Sequence, residues 1–133
     1  MFVLPDPLPS SLARYAPGRI VEIPDEQWPI IEVRDRVGVV STIPRYALEV
    51  RTLSLELDPE RVRWLAAATS PRPLSDRHVH MVTHRGRLHV IDGHHALAAH
   101  LAAGTERIPV RLVTPTTVRD PAVTDAAGNA GAA

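Results

Sequence analysis

The sequence predicts one small α/β domain of the α+β type, a mixed sheet built around a β-hairpin, a glycine turn, a helix and a strand. Three observations predict it. The chain has 133 residues, 44% of them hydrophobic, which suits a single core of ordinary size. Residues 77–113 alternate, break and become helical in the order strand, turn, strand, glycine, helix, glycine, strand. Asp58-Pro59-Glu60 is a helix start, with a capping carboxylate, a proline for the first helical position and an acid at the positive end of the dipole.

Each element follows from local chemistry. Residues 1–18 contain Pro5, Pro7, Pro9 and Pro17 and predict an extended arm. Arg19-Ile20-Val21-Glu22-Ile23 reads as a strand ended by Pro24. Residues 30–43 read as two strands around a turn near Asp35-Arg36 or Gly38. Between Tyr46 and Leu57 the partial alternation of Leu48, Val50, Leu53, Leu55 and Leu57 favours strand. The helix opened by Asp58 places Val62, Leu65, Ala66 and Thr69 on one face, and Ser70-Pro71-Arg72-Pro73 stops it. Arg77 to Thr83 forms a strand, His84-Arg85-Gly86-Arg87 a hairpin turn, and Leu88 to Ile91 its partner. Asp92-Gly93 breaks the chain, His94 to Ala103 is helical, Gly104 closes it, and Ile108 to Val113 is a last strand. The folded unit is thus expected at 19–114, with 115–133 as a flexible, small-residue tail.

Composition excludes several functions. Fifteen basic and fifteen acidic residues give a net charge of zero and a pI near 7.1, which does not suit a coat for nucleic acid or an anionic membrane. No apolar run is long enough for a transmembrane helix, and the N-terminus lacks signal-peptide features, so the expected location is the cytoplasm. The absence of cysteine removes disulfides, thiolate catalysis and sulfur-ligated zinc. All basic residues are arginine, so no lysine serves as a Schiff-base or Walker-type group. One Phe, two Tyr and two Trp leave little to stack single-stranded bases.

Ile91-Asp92-Gly93-His94-His95 joins a buried strand directly to a helix N-terminus, where backbone N–H groups lack partners and a partial positive charge points outward. A phosphate fits there. Gly93 admits close approach of a ligand to the backbone, and His94 and His95 are placed to donate hydrogen bonds or move a proton near neutral pH. The plainer alternative is that Asp92 is an N-cap and the histidines are solvated. A second constellation is histidine itself: His78, His80, His84, His89, His94 and His95 fall within eighteen residues, with His100 just beyond. On a strand, His78 and His80 share a face, and His89 on the paired strand is placed to join them as a metal site, against the simpler reading of a half-exposed strand.

Residues 73–113 resemble the ParB N-terminal/sulfiredoxin-like superfamily. The resemblance rests on Pro73-Leu74, the hairpin, Val90-Ile91-Asp92-Gly93-His94-His95-Ala96-Leu97, Gly104 and Ile108-Pro109-Val110. Arg19 to Pro24 is similar to that family's first strand and Asp58 to Thr69 to its preceding helix. The resemblance implies a ParB/sulfiredoxin-like fold that binds a nucleoside triphosphate with Mg²⁺ at the turn. Asp92, Gly93, His94 and His95 would be the phosphate-binding positions, and Asp92 and His94 the catalytic candidates for hydrolysis or phosphoryl transfer. Ala96 stands where the family usually has arginine, for which Arg72, Arg77 or Arg111 would have to substitute. The chain lacks the cysteine of sulfiredoxin chemistry, a Glu-Asn-x-x-Arg motif and an evident helix-turn-helix. Two rivals stand beside the nucleotide reading: a DNA-binding or ParB-like nuclease domain using a metal, and a non-catalytic interaction module. A homodimer is left open, and no membrane partner is expected.

Overall fold

The computed structural model describes residues 4, 6–35, 37–67 and 71–121. Its elements are β1 (Ile20–Ile23), β2 (Ile30–Glu32), β3 (Gly38–Pro44), β4 (Val50–Leu53), α1 (Pro59–Ala66), β5 (Val79–His84), β6 (Arg87–Asp92), α2 (His94–Ala102), β7 (Arg107–Val113) and β8 (Thr117–Arg119). The architecture is a mixed six-stranded sheet in the order β1-β4-β6-β5-β7-β3, two α-helices, and a separate β2–β8 ribbon. β1, β4 and β6 run parallel, β5 returns antiparallel to β6, β7 is parallel to β5, and β3 closes the sheet antiparallel to β7.

Local chemistry sets the helix and hairpin boundaries. Asp58 caps α1 by accepting the Glu60 N–H at 3.0 Å, and Pro59 takes the first helical position. The helix ends at Ala66, earlier than its apolar pattern suggests; Thr69 and Ser70 lie outside the described residues. Arg85 and Gly86, with φ of 53° and 72°, form the two-residue turn between β5 and β6, the twist that antiparallel strands favour. At the end of α2 the Gly104 N–H bonds to Leu101 C=O and the Thr105 N–H to His100 C=O, closing the helix on a residue of positive φ.

One face of the sheet carries the core. Val50, Val79, Met81, Val90, Ile108 and Val110 pack under Leu97, Ala98 and Leu101 of α2 and Val62 and Leu65 of α1. Each buried Val, Leu, Ile or Met side chain among them contributes about 1.5–3 kcal/mol of transfer free energy. From Ala96 to Ala102 every α2 residue is buried, so alanine is what lets this helix lie closely among its neighbours. His100 is buried with them; its Nε2 meets Arg77 O at 2.9 Å and its Nδ1 the Thr105 hydroxyl at 3.1 Å, which makes it a strut between α2 and the chain before β5.

Four expectations are corrected. The strands within 30–43 do not pair with each other: β2 pairs with β8, and β3 with β7. The strand between Tyr46 and Leu57 is only Val50–Leu53, preceded by a 3₁₀ turn at Arg45–Ala47. Ordered structure continues outside 19–114, since Leu8 and Leu12 of the proline-rich arm are buried in the core and β8 lies past the expected end. Residues 122–133 of the expected tail lie outside the described residues. The helix cap before α2 is the fourth.

Candidate functional site

Gly93, not Asp92, is the N-cap of α2, with φ 85° and ψ 29°. Asp92 is the last residue of β6, and its Oδ1 accepts the Gly93 N–H at 2.8 Å. The first intrahelical bond runs from the Leu97 N–H to Gly93 C=O at 2.8 Å. As a glycine the N-cap residue brings no side-chain cap of its own, and the positive end of α2 points out at this turn. Glycine is demanded here twice. Its φ is left-handed, and a Cβ would come within 3.2 Å of His78 O and 3.3 Å of Val79 Cα.

The sheet brings further groups to this turn. The register sets His80 opposite Asp92 on one side and opposite Arg111 on the other, so Asp92, His80 and Arg111 form a row across β6, β5 and β7. A register shift between His80 and Met81 creates it. Without that shift Asp92 would continue the alternation of Leu88 and Val90, which turn to the core.

Around the turn lies a cavity of about 380 Å³. Arg61 enters from α1, Arg72 and Arg77 from the segment before β5, and Arg111 from β7; Asp76 and Asp92 are the carboxylates on its wall. Four guanidinium groups against two carboxylates leave an excess of two positive charges where the positive end of α2 also points. All three arginines expected to stand in for the missing one line this wall, as does Ala96 itself. Sequence reading missed Arg61, Asp76 and Trp64. The Trp64 ring holds Arg61 and Arg77 together, with their Cζ atoms 5.1 and 5.2 Å from its centroid. The three-residue spacing of Arg61 and Trp64 on α1 was a visible signal, but the partner Arg77 is far away in sequence.

Both histidines of the turn line the cavity. Burial pushes the His94 imidazole below its usual pKa, against the opposing pull of Asp92, and its Nε2 is buried without a hydrogen-bond partner. Burial and then the Arg61 charge push His95 down as well. His95 Nε2 accepts the Asp58 N–H at 3.1 Å, which places its proton on Nδ1 and ties α2 to the cap of α1. Both rings are therefore neutral at pH 7, and each brings one N–H rather than a charge.

Among the described residues the histidine cluster does not assemble as a metal centre, although His78, His80, His94 and His95 all line the cavity. His78 precedes β5, His80 stands in the Asp92 row, and His89 pairs with Val82 instead. His89 packs edge-on to Trp28 and His84, with centroids 5.3 and 5.8 Å away, and His84 Nε2 meets Asp120 at 2.9 Å. Among the described residues no group of three or more His, Asp or Glu is placed to hold a metal ion. No described helix is long and apolar enough to cross a membrane. A larger cavity of about 680 Å³ at the other end of α2 is lined by Tyr15, Pro17, Pro44, Tyr46 and Leu101 with three arginines, and none of the predicted site residues reaches it. Comparison with protein-family models, with curated proteins and with solved structures finds no match to this chain.

Proposed function

We propose that the protein binds the polyphosphate of a nucleoside triphosphate, with Mg²⁺, in the arginine-lined cavity at the start of α2, on a fold of the ParB/sulfiredoxin-like kind. One observation carries this reading: four arginines from three separate parts of the chain converge on a helix N-terminus whose cap residue is a glycine. Guanidinium forks suit phosphate oxygens bidentately, and the N–H groups of a helix start add donors that cost no reorganisation. Gly93 lines the cavity at the start of α2, and His94 and His95 each supply one neutral N–H donor.

The donor set fits Mg²⁺ that arrives on the nucleotide. Mg²⁺ is commonly held by one or two carboxylates together with substrate phosphates, and Asp92 and Asp76 are the carboxylates present. Bound there, the ion would neutralise charge developing on the phosphates. Hydrolysis or phosphoryl transfer needs little more than positioning and charge stabilisation. In that chemistry the arginines would hold the phosphates, Asp92 would help hold the metal, and His94 would be the neutral imidazole available to accept a proton from the attacking group.

Thermal unfolding against ATP, CTP, GTP and UTP, each with and without Mg²⁺, tests the proposal. A nucleotide at a hundred times its Kd adds about 2.7 kcal/mol. The expected result is a nucleotide-selective rise in Tm that disappears in Arg111→Ala. No shift with any nucleotide overturns the proposal. A response to duplex DNA alone, with a steep salt dependence, favours the nuclease-type reading instead.

A further inference from the structure

We propose that β3 is the interface of a two-fold homodimer in which the strand pairs antiparallel with β3 of a second copy, centred on Val40. β3 is the outer strand of the six-stranded sheet, and residues 37–43 contain no charged residue. Val37, Val39 and Val40 are 72, 67 and 54% exposed. Natural sheet edges are normally short, charged, kinked or covered, because free N–H and C=O groups recruit other strands. β1 at the opposite edge follows that rule: it has four residues, and its Glu22 carboxylate is bonded to Ser11 and to the Ala13 N–H. β3 has seven residues and among the described residues no such cover.

The backbone parity decides which groups are offered. The Arg45 N–H donates to Glu106 C=O at 2.7 Å, and these residues continue the β3–β7 register beyond Pro44 and Arg107. Hydrogen-bonded and non-bonded pairs alternate in an antiparallel ladder, so Ile43, Ser41 and Val39 share the parity of Arg45 and bond to β7. Gly38, Val40 and Thr42 then turn their N–H and C=O groups to the free side. Pro44 belongs to this outward set, so its missing N–H costs the ladder to β7 nothing.

A second copy supplies a strand of matching length and character, because about Val40 every residue of 37–43 meets an uncharged partner. Val40 meets its own equivalent and Gly38 meets Thr42, so every outward N–H finds an outward C=O. Val37 comes to lie beside Ile43, extending apolar contact along the seam. Val40 also lies opposite Arg111 in the sheet register, so the Asp92-His80-Arg111 row continues through the seam into its copy. Three strand spacings separate the two Arg111 backbones, roughly 14 Å. The dimer thus places two arginine-lined cavities on one continuous twelve-stranded sheet. It stands independently of what those cavities bind.

The test measures solution mass and amide exchange on the full chain. The expected mass is twice 14.5 kDa, falling to one copy in Val40→Lys, whose side chain sits at the exposed seam. The Val40 and Thr42 amides should exchange slowly in the wild-type protein at high concentration and fast on dilution, a readout that does not depend on how the variant folds. A wild-type monomer with unprotected Val40 and Thr42 amides overturns the proposal. So does a Val40→Lys protein that stays dimeric.

Discussion

Replacing Gly93 by alanine separates two costs that the structure places on one residue. Holding a side chain at φ 85° costs about 1–2 kcal/mol, as for any L-residue forced into the left-handed region. The added Cβ would also press on His78 O at 3.2 Å and Val79 Cα at 3.3 Å, both backbone atoms of the strand that must stay in register with Asp92. Crowding of this kind in a packed region costs roughly another 1–2 kcal/mol. The unfolded chain returns about 0.4–1 kcal/mol through its reduced freedom. Gly86→Ala is the internal control, because φ there is 72° and nothing lies within 4 Å of the added methyl. Urea unfolding should therefore show Gly93→Ala losing about 1–3.5 kcal/mol and Gly86→Ala about 0–1.5 kcal/mol, with unchanged m-values. For a domain of this size 1 kcal/mol corresponds to roughly 3–5 °C in Tm, so the two variants should separate by several degrees. Equal losses would refute the close approach of Gly93 to β5. Two harmless variants would refute the left-handed turns themselves.

Three further outcomes are expected. His89, His94, His95 and His100 are all pushed below their usual pKa, chiefly by burial, so the unfolded chain binds protons that the native protein refuses. Their contribution is complete above the unfolded value near 6.5 and is lost as pH falls below it, so melts between about pH 7.5 and 5.5 should show a falling Tm; a flat or rising profile contradicts the burial. Asp120, held low by His84 and Arg85, acts in a more acidic window, losing its stabilising charge only below about pH 4. Trp64→Ala should weaken nucleotide binding about fivefold to thirtyfold, from two cation–π contacts of roughly 0.5–1 kcal/mol each, and titration calorimetry reads it; unchanged affinity would detach Arg61 and Arg77 from the ligand. Asp58→Ala should cost about 1 kcal/mol by removing the α1 cap, seen in urea unfolding, whereas no loss would deny the cap a role.

What could be read in the sequence was what a few neighbouring residues decide among themselves. A carboxylate followed by proline starts α1 wherever it stands, and Gly104 ends α2 because the positive φ there suits it. Arg85-Gly86 turns the hairpin by the same local argument. The turn carrying Asp92, Gly93, His94 and His95 was visible because a strand ending directly in a helix must leave donors open. The exchange of roles between Asp92 and Gly93 was not visible, because it follows from how closely β5 passes behind the turn.

Partner choice belonged to the tertiary structure. Nothing in the alternation of residues 30–43 tells β2 to seek β8, about 85 residues later, in preference to β3 nearby. Alternation records which side of a strand is apolar, not which strand lies beside it. The register shift at His80 and Met81 turns Asp92 toward Arg111, and closure of the chain brings Arg61, Arg72 and Arg77 to the same cavity. Arginines on exposed segments carry no periodic signal of where they point. Local sequence thus determined the turn and its helix start, and long-range packing determined the charge that surrounds them, because a short segment dictates its own dihedrals while a charged cavity exists only where distant segments meet.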